Sequence, residues 1–253
     1  MADVLDALWE QFDPTRPLAA DQGDLYEDWQ NELGPSDTKS KLTKAIARSR
    51  GASTYRLLTG HRGVGKTTEL LRVADRLRSG HAPRKLFVSY VESEKWLDLN
   101  DVDAPDVIFH MVRQLVTDLR DQGFAFGWEK FTGFFREFQE VLNADVELNS
   151  VKIPGPIEFG MAFKDIAGVR ARMRKLLEGQ LPTIYDLINR EVLGRAKQSL
   201  RENGGYEDVA IIVDELDRIT RPEVQKQIFL EKVNVLFHSV TSIRQSYLQI
   251  NAH

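Results

Sequence analysis

The chain has no cysteine in its 253 residues. That excludes a disulfide framework, a thiolate metal cluster and a cysteine nucleophile, and it fits a reducing compartment. Histidine is sparse: His61, His81, His110, His238 and His253 are scattered without the ligand spacing of a zinc site. Long apolar runs are missing as well. The longest, Val209 to Val213, falls far short of the ~20 residues that cross a bilayer. The opening MADVLDALWEQF is acidic and amphipathic, unlike a secretory signal with its positive start and apolar middle. A cytoplasmic location with no membrane contact is expected. The net charge of −4 argues against binding nucleic acid through the overall field, so such a partner would have to be met by a local basic patch.

The composition itself, 42% hydrophobic and 28% charged, is that of a soluble globular protein able to bury a sizeable core. Residues 2–12 read as a short helix stopped by Asp13, Pro14 and Pro17, and 13–36 as an arm poor in apolar positions. Leu42, Ile46 and Ala47 then mark a helix up to Gly51, with Lys39, Lys41, Lys44, Arg48 and Arg50 on its other faces as solvated cations or phosphate contacts. A strand over 54–59, a glycine-rich turn, and a helix from Lys66 to Arg78 closed by Gly80 follow. Next come a strand over 86–91 and a helix opened by Pro105, with an apolar stripe from Val107 to Leu119. This alternation predicts an α/β fold with a parallel sheet and covering helices.

The rhythm breaks over residues 124 to about 182. Trp128, Phe131, Phe134, Phe135 and Phe138 predict an aromatic helix, and 146–163 alternates like a hairpin around IPGP. The segment reads as an insertion that packs against the core or receives a protein partner. Within it Arg170, Arg172, Arg174 and Lys175 form a basic patch, read as a solvated helix face or a nucleic-acid contact. Leu181-Pro182-Thr183 is expected to start another helix ending near Gly205, before the buried-type strand of VAIIVDELDR.

Two stretches carry chemistry. GHRGVGKT fits G-x-x-x-x-G-K-[ST], with Gly60, Gly65, Lys66 and Thr67 at the defined places. Converging main-chain amides on a phosphate chain requires close backbone approach and unusual dihedrals, hence Gly60, Gly63 and Gly65. The following helix aims its amino-terminal dipole at the same anion. His61, Arg62, Val64 and Thr68 complete the expected cradle; Lys66 supplies the cation for the β and γ phosphates, and the Thr67 hydroxyl a ligand for Mg²⁺. The second stretch places Asp214 at a strand's carboxyl end, suited to hold Mg²⁺ through its water shell, with Glu215 beside it to take a proton from attacking water or to orient it. Asp217 and Arg218 read as a surface ion pair; Arg218 and Arg221 are also candidates to reach the γ-phosphate of a neighbouring subunit.

With both stretches in place the chain resembles the AAA+ and STAND group of P-loop ATPases, and STYRLLTGHRGVGKTTELLRVADRL with AIIVDELDRI looks especially like the prokaryotic STAND-like domains at the front of larger signalling or defence proteins. The resemblance implies a P-loop NTPase three-layer sandwich over 37–253, carrying the helix-plus-hairpin insertion, preceded by the 1–36 helix and arm. It implies ATP and Mg²⁺ as cofactors, Gly60 to Thr68 as the nucleotide loop, Asp214 as magnesium carboxylate, and Lys66 and Glu215 as catalytic residues. It also draws Asp21 to Trp29, and Tyr26 in particular, towards adenine. A further central strand is implied after the acidic motif; residues 247–250 fit it, with Asn251 as a γ-phosphate sensor. After an expected helix over 222–237 no helical lid is expected, so a larger protein or another chain is expected to complete the domain. ATP-driven switching or assembly is the expected function. A nucleotide-controlled interaction module with little turnover and a DNA-handling ATPase are the alternatives.

Overall fold

The computed structural model describes residues 17–19, 26, 38–48, 56–61, 63–127, 129–134, 136, 167–227 and 249–251. It is a mixed α/β structure of mainly helical content. Its elements are α1 (Thr38–Ala47), β1 (Leu57–Thr59), α2 (Lys66–Ser79), β2 (Leu86–Glu92), a one-turn α3 (Ser93–Trp96), α4 (Ala104–Asp121), α5 (Ala167–Asp186), a π-helical stretch (Leu187–Gly194), α6 (Arg195–Gly204), β3 (Asp208–Asp214), α7 (Pro222–Gln227) and β4 (Gln249–Asn251).

Two parallel pairs are formed. β2 runs beside β3 with Leu86 opposite Asp208 and Glu92 opposite Asp214, while β1 runs beside β4 with Thr59 opposite Asn251. Strand alternation sorts the β2–β3 side chains between two cores. Phe87 and Val91, with Val209, Ile211 and Val213, meet the apolar stripe of α4 and the Ile188, Val192, Ala196 and Leu200 side of the π-stretch and α6. Leu86, Val88 and Ile212, with Tyr90 and Ala210, meet Leu42 and Ala47 of α1 and Val73, Ala74 and Leu77 of α2. The pair is therefore packed on both faces, which explains why β3 reads as a continuous apolar run although most of its residues are only partly buried. Parity puts Asp214 on the face of Ala210 and Ile212, the one that α2 covers.

Helix ends follow local chemistry. Asp103 and Asp106 form a reciprocal capping box at the start of α4, with Pro105 in its first turn. Gly80 closes α2 in the left-handed conformation expected of a helix end (φ 81°).

Several sequence expectations are corrected. Pro182 does not open a helix: it sits inside α5, which runs on to Asp186 and into the π-stretch. A proline there forfeits one helical hydrogen bond and crowds the carbonyl four residues before it; contacts of Arg174 on one side and of Ile184, Tyr185 and Ile188 on the other hold the helix through that local loss. Lys39 is not a solvated cation. It is 4% exposed, with its ammonium 5.0 Å from the centre of the Tyr26 ring. The expected helix at 2–12, the hairpin at 146–163 and most of the aromatic helix lie outside the described residues. No described helix is long and apolar enough to cross a membrane.

Candidate functional site

The glycine-rich turn leaves β1 and enters α2 through two left-handed residues, Gly63 (φ 86°) and Gly65 (φ 82°). An added Cβ would meet nothing within 4 Å at either position, so the dihedral and not the space demands glycine. Gly65 caps α2 with no side-chain hydrogen bond, so no N-cap side chain covers the amides of the first helical turn. Lys66 folds back over the turn and donates to the carbonyls of Gly60 and His61, each at 3.0 Å. His61 and Val64 are exposed at its rim, and Thr67 is half-buried in the first helical turn. Arg62 lies outside the described residues.

A second element meets this turn. β3 ends at Asp214, and the chain then makes a tight bend through Glu215 into a single 3₁₀ turn, Leu216–Arg218. Glu215 is the only non-glycine with positive φ among the described residues (66°), a conformation that costs roughly 1–2 kcal/mol for an L-residue and collects at functional sites. The bend carries the Asp217 carboxylate to 3.0 Å from the Lys66 ammonium. Lysine and acidic bend, about 150 residues apart in sequence, are thus in direct contact.

Asp214 is 6% exposed and held at both oxygens: Oδ1 accepts from the Glu215 amide at 2.8 Å and Oδ2 from the Tyr90 hydroxyl at 2.7 Å. Burial, reinforced by the Asp214 charge, pushes the Tyr90 hydroxyl well above the usual tyrosine range, so it stays a donor. Glu215 is also raised, by partial burial first and then by the charges of Asp214, Glu92 and Asp217. Its Oε2 accepts from the Glu94 amide at 3.1 Å.

The remaining candidates divide. Arg218 pairs with Glu94 and lies 3.4 Å from Glu215, and Arg221 donates to the Val102 carbonyl at 2.7 Å, so both arginines are engaged within their own chain. Asp217 pairs with Lys66 in place of the expected Arg218. Arg174 is no solvated member of a basic patch: it bonds Asp106 at 2.8 Å and Asp101 at 2.9 Å, tying α5 to the start of α4. Lys175 is exposed. Tyr26 lies against α2, donating to Glu69 at 2.6 Å beneath the Arg72 guanidinium, 3.5 Å from the ring centre. Nearby, the Leu18 amide donates to the Thr68 hydroxyl at 3.2 Å, so Leu18 and Tyr26 both touch α2. Asn251 stands opposite Thr59, the residue before Gly60.

Sequence reasoning missed Tyr90 altogether. The signal exists only in the register: Tyr90 lies opposite Ile212, two positions before Asp214 on the same face. Among the described residues no cluster of three or more metal-ligating side chains forms a protein-only cage. The Thr67 hydroxyl and the Asp214 carboxylate, with a lone pair left on each oxygen, are hard oxygen donors of the kind that suit a divalent cation which keeps most of its waters. Comparison with known protein families, with curated proteins and with solved structures finds no match for this chain.

Proposed function

We propose that the chain is a P-loop ATPase domain of the AAA+/STAND type that binds Mg·ATP over Gly60 to Thr68 and hydrolyses its β–γ phosphoanhydride bond. The observation that carries this reading is the 3.0 Å contact between Lys66 and Asp217, which sets the glycine turn against the acidic bend after β3. Phosphoryl transfer needs that juxtaposition: a cation and amides on one side of the phosphates, carboxylates for metal and water on the other.

In this reading the amides of residues 63–67 and the Lys66 ammonium bind the β and γ phosphates. Thr67 and Asp214 would hold Mg²⁺, which would supply charge neutralisation on the phosphate oxygens. Glu215 takes a proton from a water whose oxygen bonds to the γ-phosphorus; the bond from that phosphorus to the β–γ bridging oxygen breaks, releasing ADP and inorganic phosphate. Partial burial and neighbouring carboxylates that raise Glu215 make it a better proton acceptor near neutral pH.

The strand pairings support the three-layer sandwich. Pairs β1–β4 and β2–β3, both parallel, combine into the order β1-β4-β3-β2 if β4 occupies the open side of β3, which makes β4 the central strand implied for Asn251. The Val88 carbonyl on β2 is taken by the Arg78 guanidinium at 2.9 Å, consistent with β2 at an edge.

One observation favours a second reading, a nucleotide-controlled interaction module with little turnover: the Glu94 amide and Arg218 lie against the two oxygens of the Glu215 carboxylate and compete with an attacking water for them. Single-turnover hydrolysis by the parent chain and Glu215→Gln separates the two. A rate at least ~100-fold slower in the variant supports the ATPase, and equal negligible rates support the module.

A further inference from the structure

Resting on the assignment of Asp214 to the metal side of the nucleotide site, we propose that Tyr90 is a positioning residue, whose hydroxyl fixes the Asp214 carboxylate for the divalent cation that accompanies a nucleoside triphosphate. The register makes Asp214 the diagonal neighbour of Tyr90 across the β2–β3 pair, a separation that aromatic side chains reach. The Tyr90 ring packs with the α1–α2 core, so the hydroxyl is aimed by packing and not by its hydrogen bond alone. At the other oxygen the Glu215 amide donates, and Glu215 is itself set by its left-handed bend.

Two donors on opposite oxygens stop the carboxylate turning about its Cβ–Cγ bond, while each oxygen keeps a lone pair for the cation or its waters. Asp214, 6% exposed, has little solvent to replace a lost donor. Removing the Tyr90 hydroxyl frees the carboxylate to rotate, and a cation that demands near-octahedral geometry is sensitive to that freedom.

The test uses the full chain with Tyr90→Phe, which keeps the ring and deletes only the donor. The readout is the Mg²⁺ concentration giving half of the metal-dependent gain in affinity for a fluorescent ATP analogue, with affinity in EDTA and the thermal midpoint measured alongside. The half-point should rise about 10-fold, the lower end for partners that orient metal ligands, with EDTA affinity unchanged. Asp214→Asn should raise it at least as far, and Tyr90→Phe should add nothing in that background. A half-point equal to that of the parent chain overturns the proposal, as does an equal further shift on Asp214→Asn. A lowered thermal midpoint with no change in half-point overturns it too, leaving Tyr90 a purely structural role. Loss of binding in Lys66→Ala with an unmoved Tyr90→Phe half-point sinks the positioning role alone; absence of any nucleotide binding by the parent chain sinks the underlying site as well.

Discussion

The Lys66 ammonium stands 3.0 Å from the Asp217 carboxylate while also donating to the carbonyls of Gly60 and His61. All three of these partners are acceptors. On the proposed reading, Asp217 competes with a triphosphate for the same cation. Its side chain is 47% exposed, and a pair so open to solvent is worth about 0.2–1 kcal/mol. Asp217→Asn should accordingly tighten nucleotide binding roughly 1.5- to 5-fold, read by titration with a fluorescent ATP analogue. Weaker binding would instead mean that Asp217 contributes to holding the nucleotide.

The turn itself offers a matched pair of substitutions. Gly65 has φ 82° with open space where a Cβ would go, so Gly65→Ala should lower stability by roughly 1–2 kcal/mol through backbone strain alone. Gly179, within α5 and equally open, has no such dihedral; Gly179→Ala should be neutral or stabilise by up to ~1 kcal/mol. Chemical denaturation of both variants checks this, and equal effects would contradict it.

Arg174 meets Asp106, an almost fully buried carboxylate, from α5. Arg174→Met leaves that charge without its principal partner and should cost on the order of 3–5 kcal/mol. Replacing both, as Arg174→Met with Asp106→Leu, should restore part of the loss because no buried charge remains. A single variant within 1 kcal/mol of the parent, to order of magnitude, would show the pair to be dispensable.

His110 is buried at 1% exposure, its ring edge-on to Phe109. Burial, helped by the Arg113 charge, lowers its pKa from 6.5 to about 3. The unfolded chain takes up a proton below pH 6.5 while the folded chain does not until about pH 3, so stability falls as pH drops through that window. The contribution approaches about 1.4 kcal/mol per pH unit at its steepest. His110→Leu should flatten the acid limb by that slope, since other titrating groups are common to both proteins. Parallel stability curves between pH 7 and 5, within about 0.5 kcal/mol, would rule it out.

Much of the architecture was legible because it rests on local rules. The alternation of strand, glycine turn and helix from Leu57 to Ser79 follows from residues that neighbour one another, and the apolar run of β3 reflects packing on both faces. The contact of Lys66 with Asp217, the reach of Tyr90 to Asp214 and the burial of Lys39 under Tyr26 depend on register and tertiary approach, which no local pattern encodes. Pro182 misled for a related reason: a proline marks a helix start in isolation, yet tertiary packing carries α5 through it. Arg174 looked like part of a solvated cationic face because its neighbours in sequence are basic, whereas its partners in space are acidic.

The central claim is that the cradle from Gly60 to Thr68, with the Lys66 ammonium folded over it, holds a nucleoside triphosphate. The most direct measurement is calorimetric titration of Mg·ATP into the parent chain and Lys66→Ala. The account predicts saturable 1:1 binding to the parent and at least ~10-fold weaker binding to the variant, the loss of a charge-assisted contact of ~1.5–3 kcal/mol. Equal affinities, or no heat of binding in either protein, would contradict it.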